Sequence, residues 1–280
     1  MKKIILTVIA ILFLIFLFFF WGGEVYTSYS INSKIEELRD SANLNSNEIF
    51  TFSQIDNQPV LLKNFFTAVI KDSSKAPNFI TLSQSGEMKT EEKSNWLKVK
   101  AREVFTTSTP ELLWDGEIGN SKFFWVEIID SYLKHKGKSL VKINSSLTIG
   151  DSKGIEIDKS NLFKYLSEAV FFPTSLLPNP NLHWHILDTN SAEIKFTDSN
   201  TSVVAKFFFN KNGTINKIET LDKFLSKNSS FKESLFTVYF YKYRWVNNAF
   251  FIPTYFEVEW NLEKGKMKFG KFKIDNIKYE

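Results

Sequence analysis

The segment KYLSEAVFFPTSLLP, Lys164 to Pro178, sets one carboxylate, Glu168, among aromatic and aliphatic residues. A carboxylate in apolar surroundings can act as a general acid or base, because burial raises its pKa towards neutrality. It can also pin a helix to a sheet beside Tyr165, or sit at a helix boundary and bond a lysine. In helical projection Leu162, Phe163, Leu166 and Ala169 centre the apolar face. Tyr165 and Phe172 lie towards one edge, and Glu168 falls just beyond it, beside Lys164. The spacing therefore predicts a boundary carboxylate, and no second acid or nucleophile is placed near it, so no catalytic residue is assigned.

The triplet HWH raises metal chemistry. His183 and His185 share one face of a strand, opposite Trp184, and His135 would complete a three-histidine set. Nothing in the sequence brings His135 to them, so no metal and no cofactor are expected. No nucleophile elbow, phosphate-cradling loop or zinc-spaced cluster occurs.

Two helices and many strands must position these residues. DNQPVLLKNFFTAVIKD carries Val60, Leu61, Asn64, Phe65, Ala68 and Val69 near one stripe, with Pro59 in the first turn. DKSNLFKYLSEAVFF starts at a cap, Asp158 or Ser160, and stops before Pro173, with Phe171 on the solvent side. Nearly everything else alternates as strand, divided by turn signals, above all Asn212-Gly213, the pair favoured in a type I′ hairpin. Short connections imply antiparallel neighbours. In FFIPTYFEVEWNL the apolar phase is Phe250, Ile252, Phe256, Val258, Trp260 and Leu262. LFTVYFYKYRWV is aromatic on both faces, with Tyr239, Tyr241, Tyr243 and Trp245 on one side and Phe236 and Phe240 on the other. In KMKFGKFKI the apolar phase slips across Gly270, the signature of a β-bulge that curves a sheet.

The N-terminus adds a location. Lys2 and Lys3 precede an apolar run from Ile4 to Trp21, interrupted only by Thr7. Eighteen helical residues reach roughly 27 Å, close to the hydrocarbon thickness of a bilayer. The bulky exit at Trp21 favours an uncleaved anchor over a cleaved signal peptide, and the absence of cysteine excludes acylation at that residue. Flanking charge puts the N-terminus in the cytoplasm and the rest outside. Residues 1–23 read as the anchor, 24–48 as a juxtamembrane stalk with Ile35, Leu38 and Ala42 on one side, and 49–280 as a single domain. The formal charge of +4 comes from scattered lysines, without the basic blocks of a nucleic-acid arm. No nucleic-acid partner is expected.

Several segments together resemble a bacterial family of unknown function with an R/K-Y-L-x-E-x-x-W/F-x-P-T-x-L-L box, matched by KYLSEAVFFPTSLL. LSQSGEM with WLKVKA, and HWHILDTNSAEIKF, resemble its Q-x-G, W-x-x-x-x-A and W-x-x-x-D-x-x-x-A pieces. TPELLWDGEI is similar to P-x-F-x-W-x-A, with Gly116 for alanine. IIDSYLKHKG is similar to D-x-Y-x-x-G-x-G, with His135 for the first glycine, and IPTYFEVEW resembles its I-P strand. The resemblance runs from about Pro59 to the C-terminus and implies a domain boundary without an activity. At the level of fold it is similar to the curved half-barrels of periplasmic lipoprotein-carrier and sensor proteins.

The fold expected is α+β: a large curved antiparallel sheet, half-barrel-like, with two covering helices after one transmembrane helix. The function expected is a membrane-anchored envelope module that binds a lipid or acyl chain on an aromatic concave face. Tyr165, Glu168, Phe172, Trp114, Trp184, Tyr239, Tyr241, Tyr243, Trp245 and Trp260 are the candidate groove or helix–sheet contacts. The alternatives are an interaction scaffold without a small-molecule site and, third, a hydrolase using Glu168, Asp130 or a histidine.

Overall fold

The computed structural model describes residues 2–42, 44, 47–227 and 230–280; the side chains of residues 12–21, 226, 227 and 230 lie outside that description. Alternating apolar positions and tight turns yield thirteen strands of one antiparallel sheet. The first six are β1 (Phe79–Met88), β2 (Leu97–Thr106), β3 (Glu111–Ile118), β4 (Val126–Leu133), β5 (Lys136–Ile143) and β6 (Leu147–Ser152). Next come β7 (Leu182–Ile186), β8 (Ser191–Asp198), β9 (Thr201–Phe209) and β10 (Ile215–Thr220). The last are β11 (Leu235–Val246), β12 (Phe250–Leu262) and β13 (Gly265–Tyr279). The helices are α1 (Lys2–Ser41), α2 (Val60–Val69) and α3 (Ile155–Glu168).

The sheet runs β6-β5-β4-β3-β2-β1-β13-β12-β11-β10-β9-β8-β7. The first strand of the sheet pairs with the last, so two meanders grow outward from the middle. α3 is the bridge between their outer edges, and it packs on β4 and β5 of one wing and on β9 of the other. Curvature has a local cause: Val258 faces Gly270 while Glu259 faces Lys268, leaving Phe269 as the extra residue of the bulge expected there.

The curl brings the wing tips together. Tyr132 Oη donates to Asp198 Oδ2 at 2.8 Å, and His135 Nδ1 lies 2.8 Å from the same oxygen. His135 stands in the left-handed region, φ 66°, next to Lys134 at φ 51°, so this hairpin has the type I′ backbone. A residue with a side chain loses roughly 1–2 kcal/mol there; the contact with Asp198 offsets part of that loss. Asn144–Ser145 and Asn247–Asn248 make the same kind of turn. Asn212–Gly213, expected to be type I′, differs: only Gly213 has positive φ, and its N–H donates to the Asn210 carbonyl at 3.0 Å.

Three helical expectations change. In α2 the buried stripe is Leu62, Phe65, Phe66 and Val69, one position out of phase with the stripe read through Leu61 and Ala68, and Val60 is exposed. α3 begins at Ile155, three residues before the expected cap, because Asp158 turns its carboxylate to the Gly137 N–H (2.7 Å) and the Lys136 ammonium (3.0 Å) instead of capping. Beyond Glu168 the chain tightens into a 3₁₀ turn over Ala169–Phe171, which rotates Phe171 inward, fully buried and 5.7 Å from the Phe256 ring. From Ser160 onward α3 has no exposed residue, because the sheet encloses it.

α1 is continuous through the segment read as a stalk. Ile31, Leu38 and Ala42 are buried against Phe79, Val104, Leu113 and Ile129 on the outer face of the sheet. Thr27 Oγ1 donates to the Ser145 carbonyl at 2.6 Å, Arg102 Nη1 to Asn32 Oδ1 at 2.9 Å, and Arg39 pairs with Glu280. Gly23 permits this docking, since a Cβ there would stand 2.2 Å from Ser146 Oγ. The expected span, Ile4 to Trp21, falls largely on side chains outside the described residues; among the described residues no helix is long and apolar enough to cross a membrane.

Candidate ligand cavity

Inward positions of β11, β12 and β13 bring Phe236, Val238, Phe240, Phe256, Val258, Trp260 and Phe272 onto one concave wall. Their rings interlock: Phe256 stacks on Phe272 with centroids 5.0 Å apart, and Phe236 meets Trp260 edge-on at 4.7 Å. Phe163 of α3 faces them, 6.1 Å from Phe236. The partly open cavity has a volume of about 370 Å³.

A polar cluster lines the same cavity. Lys164 Nζ lies 2.6 Å from Glu168 Oε1 and 2.8 Å from Glu103 Oε1, with its ammonium 5.5 Å from the centre of the Trp114 ring. Gln84 donates from Nε2 to Glu103 Oε2 at 3.0 Å and accepts at Oε1 from the Trp114 indole at 3.1 Å. Trp114 can lie flat in this place because residue 116 is glycine: a Cβ there would stand 2.0 Å from the indole. Lys164 thus stands between two buried carboxyls, and among the described residues Glu168 Oε2 is left without a hydrogen-bond partner. Burial, then the neighbouring charge of Glu168, push the Glu103 carboxyl well above the usual carboxylate range, against the pull of Lys164. Burial opposes the Lys164 charge, but the two carboxyls outweigh it and hold the ammonium above the usual lysine range. Asp130, which accepts from Ser139 Oγ at 2.5 Å, and Lys223 complete the polar lining. Burial lowers the Lys223 pKa, and Lys164 adds to the effect.

The ten residues expected from sequence separate into four groups. Trp114, Glu168 and Trp260 line the aromatic cavity. Tyr165 lines a second, more polar cavity of about 460 Å³ with Thr174, Ser175, Asn179 and Asn181, and donates to the Thr106 carbonyl at 3.0 Å. Phe172 and Trp184 are core: Phe172 packs on Phe105 at 4.8 Å, and Trp184 on Phe207 at 5.3 Å. Tyr239, Tyr241, Tyr243 and Trp245 lie on the other face of the sheet from Phe236 and Phe240, so the groove expectation fails for them; Tyr241 and Trp245 are exposed. Glu168 does pair with Lys164 as expected, but it is itself buried rather than at a wet boundary, and the Lys164 side chain is only 15% exposed. His135 joins Asp198, and among the described residues no cluster of three ligating side chains could hold a metal.

Sequence reasoning missed Gln84, Glu103 and Lys223, and read Lys164 only as a partner of Glu168 at the helix boundary. Two of these carried a signal. Glu103 continues the inward phase Val99, Ala101, Phe105, and Gln84 the phase Ile80, Leu82, so each is a polar residue where alternation demands an apolar one.

An open antiparallel sheet curled round a helix, with an aromatic cavity and a buried ionic cluster between them, defines a curled-sheet cavity domain. The chain belongs to a Family of unknown function (DUF6544), whose model matches residues 48–272. No curated protein matches it. Among solved structures, an outer membrane lipoprotein-sorting protein domain from Vibrio parahaemolyticus is 10% identical, with 72% of this chain and 86% of that chain covered and a TM-score of 0.42. A DUF1329 family protein from Desulfovibrio piger ATCC 29098 is 8% identical, with 73% and 86% covered and a TM-score of 0.40.

Proposed function

We propose that the domain holds a lipid or acyl chain in the aromatic cavity. The observation that carries this reading is the space itself. About 370 Å³ of partly open space is walled by seven inward-facing apolar side chains, the concave apolar lining that an acyl chain requires. It equals the volume of roughly a dozen water-sized groups, within reach of a flexible chain. The apolar run at the start of α1, preceded by Lys2 and Lys3, supports a single-pass anchor with the cavity domain outside the cytoplasm of a bacterial cell. Mass spectrometry of lipids extracted from the full chain, purified in two unrelated detergents, tests the reading. A recurring acyl species at near-equal molar ratio is expected, and Trp260→Ala should reduce its occupancy. Lipid-free protein from both detergents sinks the idea.

One observation favours an interaction scaffold as second reading. Tyr241 is 42% and Trp245 45% exposed on the outer face. That reading expects a protein partner lost on Tyr241→Ala with Trp245→Ala. A hydrolase would need a carboxyl free to move a proton to substrate, and Lys164 engages both Glu103 and Glu168.

A further inference from the structure

We infer that the β3–β4 loop inserts Phe123 and Phe124 into the bilayer surface beside the point where α1 leaves it, an inference that rests on the start of α1 being a membrane anchor. Phe123, 87% exposed, is the most exposed large apolar side chain among the described residues, and Phe124 beside it is 56% exposed. Burying one phenylalanine favours the buried state by a factor of about ten or more, so two rings left in water at one loop tip are a loss that contact with lipid recovers. Adjacent exposed apolar side chains rimmed by polar ones mark an interaction surface.

The loop is held in place. Buried Asn144, in the β5–β6 turn, donates from Nδ2 to the Phe123 carbonyl at 2.8 Å and accepts at Oδ1 from the Trp125 N–H at 3.2 Å. The Trp125 indole donates to Ser145 Oγ at 3.1 Å. The same turn holds α1: the Ser145 carbonyl accepts from Thr27 Oγ1, and Ser146 lies against Gly23. Loop, turn and helix therefore form one joint, on which Leu147 is exposed as well.

Depth follows from the helix. The apolar run ends at Trp21, and Gly23 stands about 3 Å further along the axis. Headgroups occupy roughly 5–8 Å on each side of the hydrocarbon. Gly23, with the turn and loop fastened beside it, thus falls at headgroup depth. Tyr26, exposed and about 8 Å beyond Trp21, sits at the outer limit of that zone, where tyrosine and tryptophan are enriched. Lys122, exposed next to Phe123, can extend its ammonium to the phosphate layer while its stem stays with the rings.

The test uses the full chain, which has no native cysteine, with one cysteine introduced at a time and labelled with an environment-sensitive fluorophore. The positions are Val8→Cys in the apolar run, Lys122→Cys in the loop and Ser108→Cys in the β2–β3 hairpin, at the opposite end of β3. Each protein is reconstituted into vesicles of phosphatidylcholine and phosphatidylglycerol that contain lipid spin-labelled near the ester end of the acyl chain. The labels at residues 8 and 122 should be quenched and the label at residue 108 should not. Phe123→Ser with Phe124→Ser should lower insertion of the loop about a hundredfold and bring quenching at residue 122 down to the level at residue 108. The near-ultraviolet circular dichroism spectrum should stay as in wild type, because both rings are exposed, which separates loss of insertion from loss of the fold. Quenching at residue 8 without quenching at residue 122 overturns the loop inference and leaves the anchor. No quenching at residue 8 overturns the anchor, and this inference with it. Equal quenching at residues 108 and 122 overturns the placement of the loop at the membrane end of the domain. Unchanged quenching at residue 122 in the double variant overturns the role of the two rings.

Discussion

Replacing Glu103 by Gln and Lys164 by Met should have very different costs, although the two side chains touch. Burial raises the Glu103 pKa, and glutamine keeps the shape of the side chain while removing the charge that burial opposes. It can donate towards Glu168 and accept from Lys164, so Glu103→Gln should cost within about 1 kcal/mol. Lys164→Met instead leaves Glu168, 7% exposed, without its counter-ion. Breaking a buried pair from one side typically costs about 3–5 kcal/mol, a large part of the 5–15 kcal/mol available to a domain.

The pH dependence separates the two further. Between the ordinary value of 4.5 and its raised value, Glu103 binds a proton when folded and not when unfolded. Stability from this group is therefore complete below 4.5 and falls as pH rises through the window, by up to about 1.4 kcal/mol per unit. Glu127, pushed up to about 7 by burial and by Asp115, contributes a decline of the same sign up to that pH. Lys223 contributes the opposite sign at alkaline pH, because its pKa is lowered. Both are present in wild type and in Glu103→Gln, so the difference between their curves isolates Glu103. Urea melts of the full chain, followed by tryptophan fluorescence at half-unit steps from pH 5 to 9, provide the curves. Wild type should lose stability relative to Glu103→Gln as pH rises. Parallel curves, or a Glu103→Gln cost equal to that of Lys164→Met, would refute the raised pKa of Glu103.

Other substitutions probe the frame around the cavity. Tyr132→Phe should cost about 1–3 kcal/mol, by leaving buried Asp198 one bond short, and should speed amide exchange at residues 133–136 measured by mass spectrometry. Gly116→Ala should displace the Trp114 indole from Gln84 and cost about 1–3 kcal/mol through overpacking, visible as a shift in near-ultraviolet circular dichroism; an unshifted spectrum would contradict the contact. Removing residues 1–22 should leave the melting temperature close to that of the full chain. Removing residues 1–41 should lower it by several degrees, because Phe79, Val104, Leu113 and Ile129 lose their cover.

Local rules carried the sheet well. Alternation and turn residues identify the strands, and the phase slip at Gly270 locates the bulge to within one residue. They failed where two faces of one element are both buried. For α3 the amphipathic projection assumes a wet side, yet the wings close over its C-terminal half, so Glu168 reads as surface although it is buried. For β11 the tyrosine face and the phenylalanine face look equally apolar, and only the direction of curl decides which is concave. The meeting of Tyr132 and His135 with Asp198 spans more than sixty residues and depends on that same curl, which no local pattern encodes.

The continuity of α1 changes how the cavity domain is carried. Forty residues at 1.5 Å each make a rod of about 60 Å, and its C-terminal half is fastened to the sheet by apolar contacts, hydrogen bonds and ion pairs. A flexible tether would let the domain wander within a radius; a rod turns the attitude of one end into the attitude of the other. Whatever medium grips residues 2–11, whose apolar side chains are exposed, thereby sets the direction in which the cavity points. Gly22, where a side chain would meet nothing, immediately precedes Gly23, which stands against Ser146 at the start of the docked half. The rod thus fixes orientation as well as distance between its two ends.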